Sequence, residues 1–236
     1  MKHYGQYCPV SRAAEVIAER WTLLVIRELL WGSDRFNAIA RGVPRMSPSL
    51  LSTRLRELER SGIVVRELLD GEPRYRLTEA GLELQPLVEL AGAWGQRWMQ
   101  ELREDEYDPA VLMLDIAREV ALRTDDLPPR PTTVQLDLTG VPRRYQRWWW
   151  IFGSTGLDVC DTDPGSDATV WIQTDAPTLT QVWIGHRPWS TALRSEDLRV
   201  TGDAESCAAL PGWLGASRFA DVALAATPLP RLTPGG

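Results

Sequence analysis

Hydrophobic and polar positions change their period along this chain. Leu51, Leu55 and Leu58 fall at i, i+4 and i+7, the spacing of one helical face. Ser47 precedes Pro48, so a side-chain cap stands before a residue whose φ is already near helical. Gly62 follows the apolar run, where a left-handed C-terminal cap is easiest. From Ile63-Val64-Val65 the spacing turns to alternation, and Asp70-Gly71 is a strong two-residue turn signal. In Arg74-Tyr75-Arg76-Leu77, alternation sends Tyr75 and Leu77 inward and Arg74 and Arg76 outward. Thr78 is placed to cap another helix. Residues 35–78 therefore read as a short helix, a turn, a capped second helix and a hairpin with arginines on its arms.

After Pro86, which can restart a helix, Leu87, Ala91, Trp94, Trp98 and Leu102 form a long apolar stripe. Its destinations are a partner helix in a dimer or the second half of the same chain. Asp108-Pro109 repeats the cap-plus-proline signal, starting a helix that runs to about Arg123, and Leu127-Pro128-Pro129-Arg130-Pro131 marks a linker. From Thr132 the period is two. Strands are predicted at Val134–Leu138, Tyr145–Phe152, Leu157–Cys160, Ala168–Thr174 and Leu198–Thr201, with helices at Pro177–Ile184 and Ala204–Leu214. The fold class is thus two domains: a mainly α N-terminal one and an α+β C-terminal one with a mostly antiparallel sheet. The divisions fall at 1–105, a linker helix and proline-rich linker at 106–131, a domain at 132–215, and an Ala- and Pro-rich tail at 216–236 expected to be partly ordered at best.

Charge sharpens this division. The 236 residues carry a net charge of −6. Residues 1–100 hold 14 Lys+Arg against 12 Asp+Glu, whereas residues 101–236 hold 12 against 20. Within 35–76 there are nine arginines and five acids, so positive charge gathers where the helix-turn-helix-hairpin pattern lies, as a DNA-binding surface requires. No apolar run approaches the roughly 18 residues of a membrane span. The start, MKHYGQYCP, has no apolar segment of a secretory signal, and a cytoplasmic location is expected.

The helix-turn-helix followed by a hairpin is the order of a winged helix-turn-helix, which fits the DNA major groove. On a wheel of about 100° per residue, Ser49, Thr53, Arg56 and Arg60 point away from the leucine face. Small hydroxyls approach base edges and phosphates closely, and arginine can bind guanine bidentately. The DNA-contact candidates are Arg20, Arg35, Ser47, Ser49, Ser52, Thr53, Arg54, Arg56, Arg74 and Arg76; an ordinary amphipathic helix and a solvated strand face are the competing readings.

The run from Tyr7 to about Trp98, some two fifths of the chain, resembles the HxlR-type regulators, a branch of the MarR-like winged-helix proteins. The resemblance rests on Cys8-Pro9-Val10, Arg20-Trp21-Thr22-Leu23-Leu24, Arg27-Glu28-Leu29, Arg35-Phe36-Asn37, Ser47-Pro48 and Leu55-Arg56-Glu57-Leu58-Glu59. It continues through Tyr75-Arg76-Leu77-Thr78, Gly81, Pro86 and Ala93-Trp94-Gly95. Glu19 departs from the glycine usual there. The resemblance implies a homodimer bound to double-stranded DNA, more often a repressor than an activator, with the stripe from Leu87 to Leu102 as the dimer face. It also implies a redox role for Cys8, whose equivalent senses oxidants or electrophiles in some members. That role needs a thiolate stabilised by nearby cations, with Arg12 one turn along; alternatively, Cys8 is a small apolar residue pinning the N-terminal arm.

The second half contains ATVWIQTDAPTLTQVWIG and ALRSEDLRVTGDAESCAALPGWL. Their order over residues 130–215 resembles the C-terminal part of sterol-carrier-protein-2-like domains, with Leu198–Asp203 the best match. Members of that family enclose an apolar cavity. Seven of eleven tryptophans lie here, and Trp148, Trp150, Trp171, Trp183 and Trp189 are candidates to line a pocket for a small hydrophobic or aromatic molecule, or are core. Trp148 and Trp150 share one strand face and Trp149 takes the other.

Catalysis has little support. Cys8, Cys160 and Cys207 with His3 and His186 show no metal-site spacing. There is no phosphate loop or nucleophile elbow, and no cofactor is expected. Asp161, Asp163 and Asp167 read as turn formers. A ligand-responsive regulator is the leading expectation. The alternatives are a redox-responsive regulator acting through Cys8 and a lipid-carrier or scaffold protein whose winged helix makes protein contacts.

Overall fold

The computed structural model describes residues 3–154 and 156–230. The chain divides into two units, Met1–Gly92 and Ala93–Gly236, each with its own apolar core.

The first unit comprises α1 (Pro9–Ile17), α2 (Thr22–Leu30), α3 (Phe36–Gly42), α4 (Pro48–Arg60), β1 (Val64–Leu69), β2 (Glu72–Leu77), α5 (Glu79–Leu82) and the opening turns of α6 (Gln85–Trp98). Ser47 Oγ accepts from Leu50 N–H at 3.3 Å, and Gly62 beyond the end of α4 has φ +73°, so both ends follow the capping chemistry of the sequence. Leu51, Leu55 and Leu58 of α4 bury their side chains with Val25 and Ile26 of α2, Ile39 of α3 and Val64 of β1. In the antiparallel hairpin Val64 faces Leu77 and Leu69 faces Glu72. Asp70 and Gly71 turn it with φ of 52° and 79°, the doubly positive backbone of a type I′ turn. Thr78 Oγ1 accepts from Gly81 N–H at 3.2 Å.

A buried carboxylate joins α2 to α3. Arg27 Nε and Nη2 donate to Glu28 Oε1 at 3.1 and 2.7 Å, and Nη2 also reaches the Gly42 carbonyl at 2.9 Å. Position 42 must be glycine for want of space: a Cβ there would lie 1.8 Å from Glu28 Oε2.

The second unit continues with α7 (Pro109–Ala121), β3 (Thr132–Thr139), β4 (Arg147–Gly153), β5 (Gly156–Cys160), β6 (Val170–Asp175), α8 (Ala176–Trp183), α9 (Trp189–Arg194), β7 (Arg199–Gly202) and α10 (Ala204–Leu214). Five strands form one sheet in the order β5-β4-β3-β6-β7. The sheet is mixed: β3 and β6 run parallel, while β3–β4, β4–β5 and β6–β7 are antiparallel. Val134, Leu136, Trp148, Trp150, Phe152 and Ile172 form a core with Leu112, Met113, Ile116 and Val120 of α7 and Leu210 and Trp213 of α10. The helix expected as a linker at 109–123 is therefore part of this unit's core. The strand expected from Tyr145 starts at Arg147, because residues 143–145 form a single 3₁₀ turn; α9 had no counterpart in the periodicity.

The tail expected at 216–236 is bonded to the unit over its described part, and 231–236 lie outside the described residues. Ser217 N–H donates to the Trp183 carbonyl at 2.9 Å, Ala225 N–H to that of Arg97 at 3.0 Å and Leu229 N–H to that of Trp98 at 2.9 Å. Arg218 pairs with the buried carboxylate of Glu119. The stripe predicted through Leu102 stops earlier, since α6 ends at Trp98. The tail takes the last carbonyls of α6, which meets the partner requirement of a helix terminus.

Candidate nucleic-acid interface

Helices α3 and α4, joined by residues 43–47, form the helix-turn-helix, and the β1–β2 hairpin is the wing. With its leucines buried, α4 turns Ser47, Ser49, Arg56 and Arg60 outward, all exposed, with Ser52 and Thr53 half-buried beside them. Ser47 Oγ and Ser49 Oγ are 3.2 Å apart. The Arg56 guanidinium folds along its own helix, donating to Ser52 O and Thr53 Oγ1 at 3.3 Å each. Arg56 thus stands exposed along the helix beside exposed N-terminal hydroxyls, the arrangement that suits phosphate oxygens and base edges.

Two predicted contacts are placed elsewhere. Arg54 is buried, donating to Glu57 Oε2 at 2.6 Å and lying 3.7 Å from Glu19 Oε2. One residue before Leu55, it falls on the flank of the apolar face, where packing and two carboxylates hold it. Arg74 does not point outward. Its Nη1 donates to Asp34 Oδ2 at 2.7 Å and its Nε is buried without a partner among the described residues, because the hairpin packs on the segment entering α3, where Tyr75 N–H also meets Asp34 O at 2.7 Å.

The remaining arginines divide between paired and open. Arg76 is exposed but pairs with Glu67 across the hairpin, holding the Glu67 carboxyl below the usual carboxylate range by hydrogen bonding. Arg35 is exposed and lies 3.4 Å from Glu72. Arg20 is exposed, its guanidinium 5.2 Å from the Trp21 ring centroid. Arg41, Arg56, Arg60 and Arg66 are exposed and have no carboxylate partner among the described residues. Arg66 is the candidate that alternation overlooked. It shares a hairpin face with Val64 and Tyr75, but lies far enough toward the tip to escape the core.

The other predicted residues separate by burial. On α6, Leu87, Ala91 and Trp94 are exposed, as is Leu90, whereas Trp98, and Leu102 beyond the helix, are half-buried. Trp148, Trp150 and Trp183 belong to the packed core of the second unit, and Trp189 packs at its margin. Trp171 is exposed on the opposite sheet face, one strand from Trp149 across Gln135. Sheet alternation therefore does not bring the five tryptophans to one place. Cys8 is half-buried at the N-cap of α1. The backbone N–H groups of Ser11 and Val10 draw its thiol pKa down without forming a full cap bond. The stabilising groups are thus a helix terminus rather than Arg12.

Fold and surface define a winged helix-turn-helix protein. The chain belongs to the HxlR-like helix-turn-helix family, whose model matches residues 16–103. It is 35% identical over 99 residues to the uncharacterized HTH-type transcriptional regulator YvaP of Bacillus subtilis, a match covering 40% of this chain and 92% of YvaP. An uncharacterized HTH-type transcriptional regulator of Mycobacterium tuberculosis is 34% identical over 138 residues, 52% of this chain and 85% of that protein. The structure of the reduced form of the transcriptional regulator YodB from B. subtilis matches at 35% identity with a TM-score of 0.35, covering 39% of this chain and 93% of that one. No helix among the described residues is long and apolar enough to cross a membrane.

Proposed function

We propose that this chain is a ligand-responsive transcriptional regulator that binds operator DNA as a homodimer, acting as a repressor. The observation that carries the proposal is the α4 surface: Ser47, Ser49 and Arg56 stand exposed over a buried leucine face. Arg20, Arg35 and Arg76, with Arg60 and Arg66, supply phosphate contacts around it. The exposed stripe of Leu87, Leu90, Ala91 and Trp94 supports a second copy as the partner of α6. Two copies would set two recognition helices about one DNA turn apart. The second unit is the sensor, read as a sterol-carrier-protein-2-like domain that takes a small hydrophobic or aromatic molecule. Ligand acts by different affinity for the DNA-competent and incompetent dimers.

The test is fluorescence anisotropy on the DNA upstream of the chain's own gene. Wild type binds it in preference to unrelated DNA, and Ser49→Asp, which puts a carboxylate at the exposed start of α4, abolishes the preference. Equal affinity for both DNAs, or an unaffected Ser49→Asp protein, contradicts the reading.

A second reading is favoured by one observation: the Cys8 thiol, lowered in pKa at a helix N-terminus, has the chemistry of a redox or electrophile sensor. Structures of relatives support it, among them the redox regulator HypR and quinone-bound YodB.

A further inference from the structure

A cleft of about 390 Å³ in the second unit is lined by Gln100, Glu101, Leu102, Tyr107, Gln181 and His186. Its construction begins at the C-terminus of α8. His186 N–H donates to the Gln181 carbonyl at 2.9 Å and Gly185 N–H to that of Val182 at 3.2 Å, the bond pair of a Schellman cap. Gly185 has φ +81°, and a Cβ there would lie 2.7 Å from the Ala220 carbonyl oxygen, so the cap is tight against the tail. That cap fixes where the His186 ring starts. The imidazole forms a wall of the cleft, while its Nε2 is sealed from solvent and has no hydrogen-bond partner among the described residues. A buried nitrogen without a partner is unfavourable, and a half-exposed ring can turn to meet a new one.

We propose that this cleft is the effector site and takes a small neutral hydroxylated aromatic molecule of the phenol class. Tyr107 and Leu102 offer flat and apolar surface for a ring. His186, the Tyr107 hydroxyl and the Gln181 amide offer groups that both donate and accept, which a ligand hydroxyl complements. Burial holds the His186 pKa below the ordinary histidine value, so the imidazole is neutral at pH 7 and can play either role. The Glu101 carboxylate at the wall disfavours anions. The volume falls within the range of small-molecule sites.

The cleft touches the end of α6. Gln100 Nε2 donates to the carbonyls of Arg97 and Ala225 at 3.1 and 2.8 Å, and Gln96 Nε2 donates to the Ile184 carbonyl at 2.7 Å, two residues before His186. A ligand that moves His186 or Gln100 therefore acts on the groups that terminate this helix. The site deepens the ligand-responsive reading and rests on it for its regulatory meaning.

The chain has two histidines, His3 and His186, so both imidazoles are separately visible in ¹⁵N-resolved NMR of the full chain, with His186→Gln making the assignment. Titration with resorcinol is expected to shift the His186 ring saturably, with a midpoint on the order of 1 mM or below for an eight-atom fragment, and to leave His3 in place. Tyr107→Phe and Gln181→Ala, which keep ring and backbone, weaken the response about tenfold each. Glycerol, with hydroxyls and no ring, produces no shift. The proposal is overturned if His186 does not respond, if His3 and His186 drift together without saturation, if both variants respond like wild type, or if glycerol shifts His186. The readout contains no DNA. A responding His186 in a chain that binds no operator DNA defeats only the regulator reading; an unresponsive His186 in a chain that binds operator DNA defeats only the cleft.

Discussion

Arg74 Nη1 donates to Asp34 Oδ2 at 2.7 Å, tying the second strand of the wing to the residue before α3's cap. Only 17% of the Arg74 side chain is exposed, so the guanidinium serves the unit's interior. Arg74→Ala is expected to lower the free energy of unfolding by about 1–3 kcal/mol, because it removes packed, largely buried methylenes and the hydrogen bond to Asp34. Arg76→Ala, removing an exposed pair, leaves stability little changed. Urea unfolding followed by tryptophan fluorescence compares the two, and equal effects would remove the structural role assigned to Arg74.

Gly42→Ala places a methyl group against the Glu28 carboxylate, which is fully buried and held by Arg27. The buried carboxylate must shift and break its bonds from Arg27 to make room, and a loss of about 1–3 kcal/mol is expected. Gly212→Ala in α10 meets nothing within 4 Å and should be neutral or stabilising by up to about 1 kcal/mol. Thermal unfolding of both variants checks the contrast.

Trp94→Asp puts a charge in the exposed stripe of α6, where Trp94 is 50% exposed. The expected outcome is a dimer that dissociates to folded monomers in sedimentation velocity. A wild-type monomer, or a variant dimer as tight as wild type, would show that this stripe does not join two copies.

Cys8 and Cys207 are shifted in opposite directions, the first down by N–H groups of Ser11 and Val10, the second up by burial and by Asp203. Since the thiolate reacts, iodoacetamide should label Cys8 first, its rate rising at lower pH than that of Cys207. Peptide mass spectrometry across pH 6–10, a span of the order that brackets ordinary thiols, reads the order directly. Cys207 reacting first would contradict the geometry.

Local chemistry made much of this fold legible in the sequence. The Ser47-Pro48 and Thr78 caps, the Asp70-Gly71 turn and the α4 leucines are decided by neighbours in the chain, and each appears where those neighbours put it. The fates of Arg54 and Arg74 were not legible: Arg54 is buried by tertiary packing on the flank of the leucine face and held by Glu57 on its own helix with Glu19 from 35 residues away, and Arg74 is held by Asp34 from 40 residues away. A wheel or an alternation says which way a side chain leaves the backbone, not which distant carboxylate awaits it. The same limit hid the packing of α7 into the second core and the bonding of Ser217 to the end of α8 and of Ala225 and Leu229 to the end of α6. The tryptophans, read as one cavity lining, divide because strand parity puts Trp171 opposite Ile172 and Val170. The His186 cleft had no motif at all; its parts meet only through the Schellman cap of α8 and the tail.

In the proposed complex α4 offers Arg56 to DNA while Arg54 stays inside. Operator affinity measured against salt concentration for wild type, Arg56→Ala and Arg54→Ala separates the two arginines. Wild type is expected to lose affinity linearly in log–log form as salt rises. Arg56→Ala should bind more weakly, with a slope smaller by roughly one for each protomer, while its unfolding curve matches wild type. Folded Arg54→Ala should keep the wild-type slope. No DNA binding at low salt, or a slope lost through Arg54 and kept without Arg56, would contradict it.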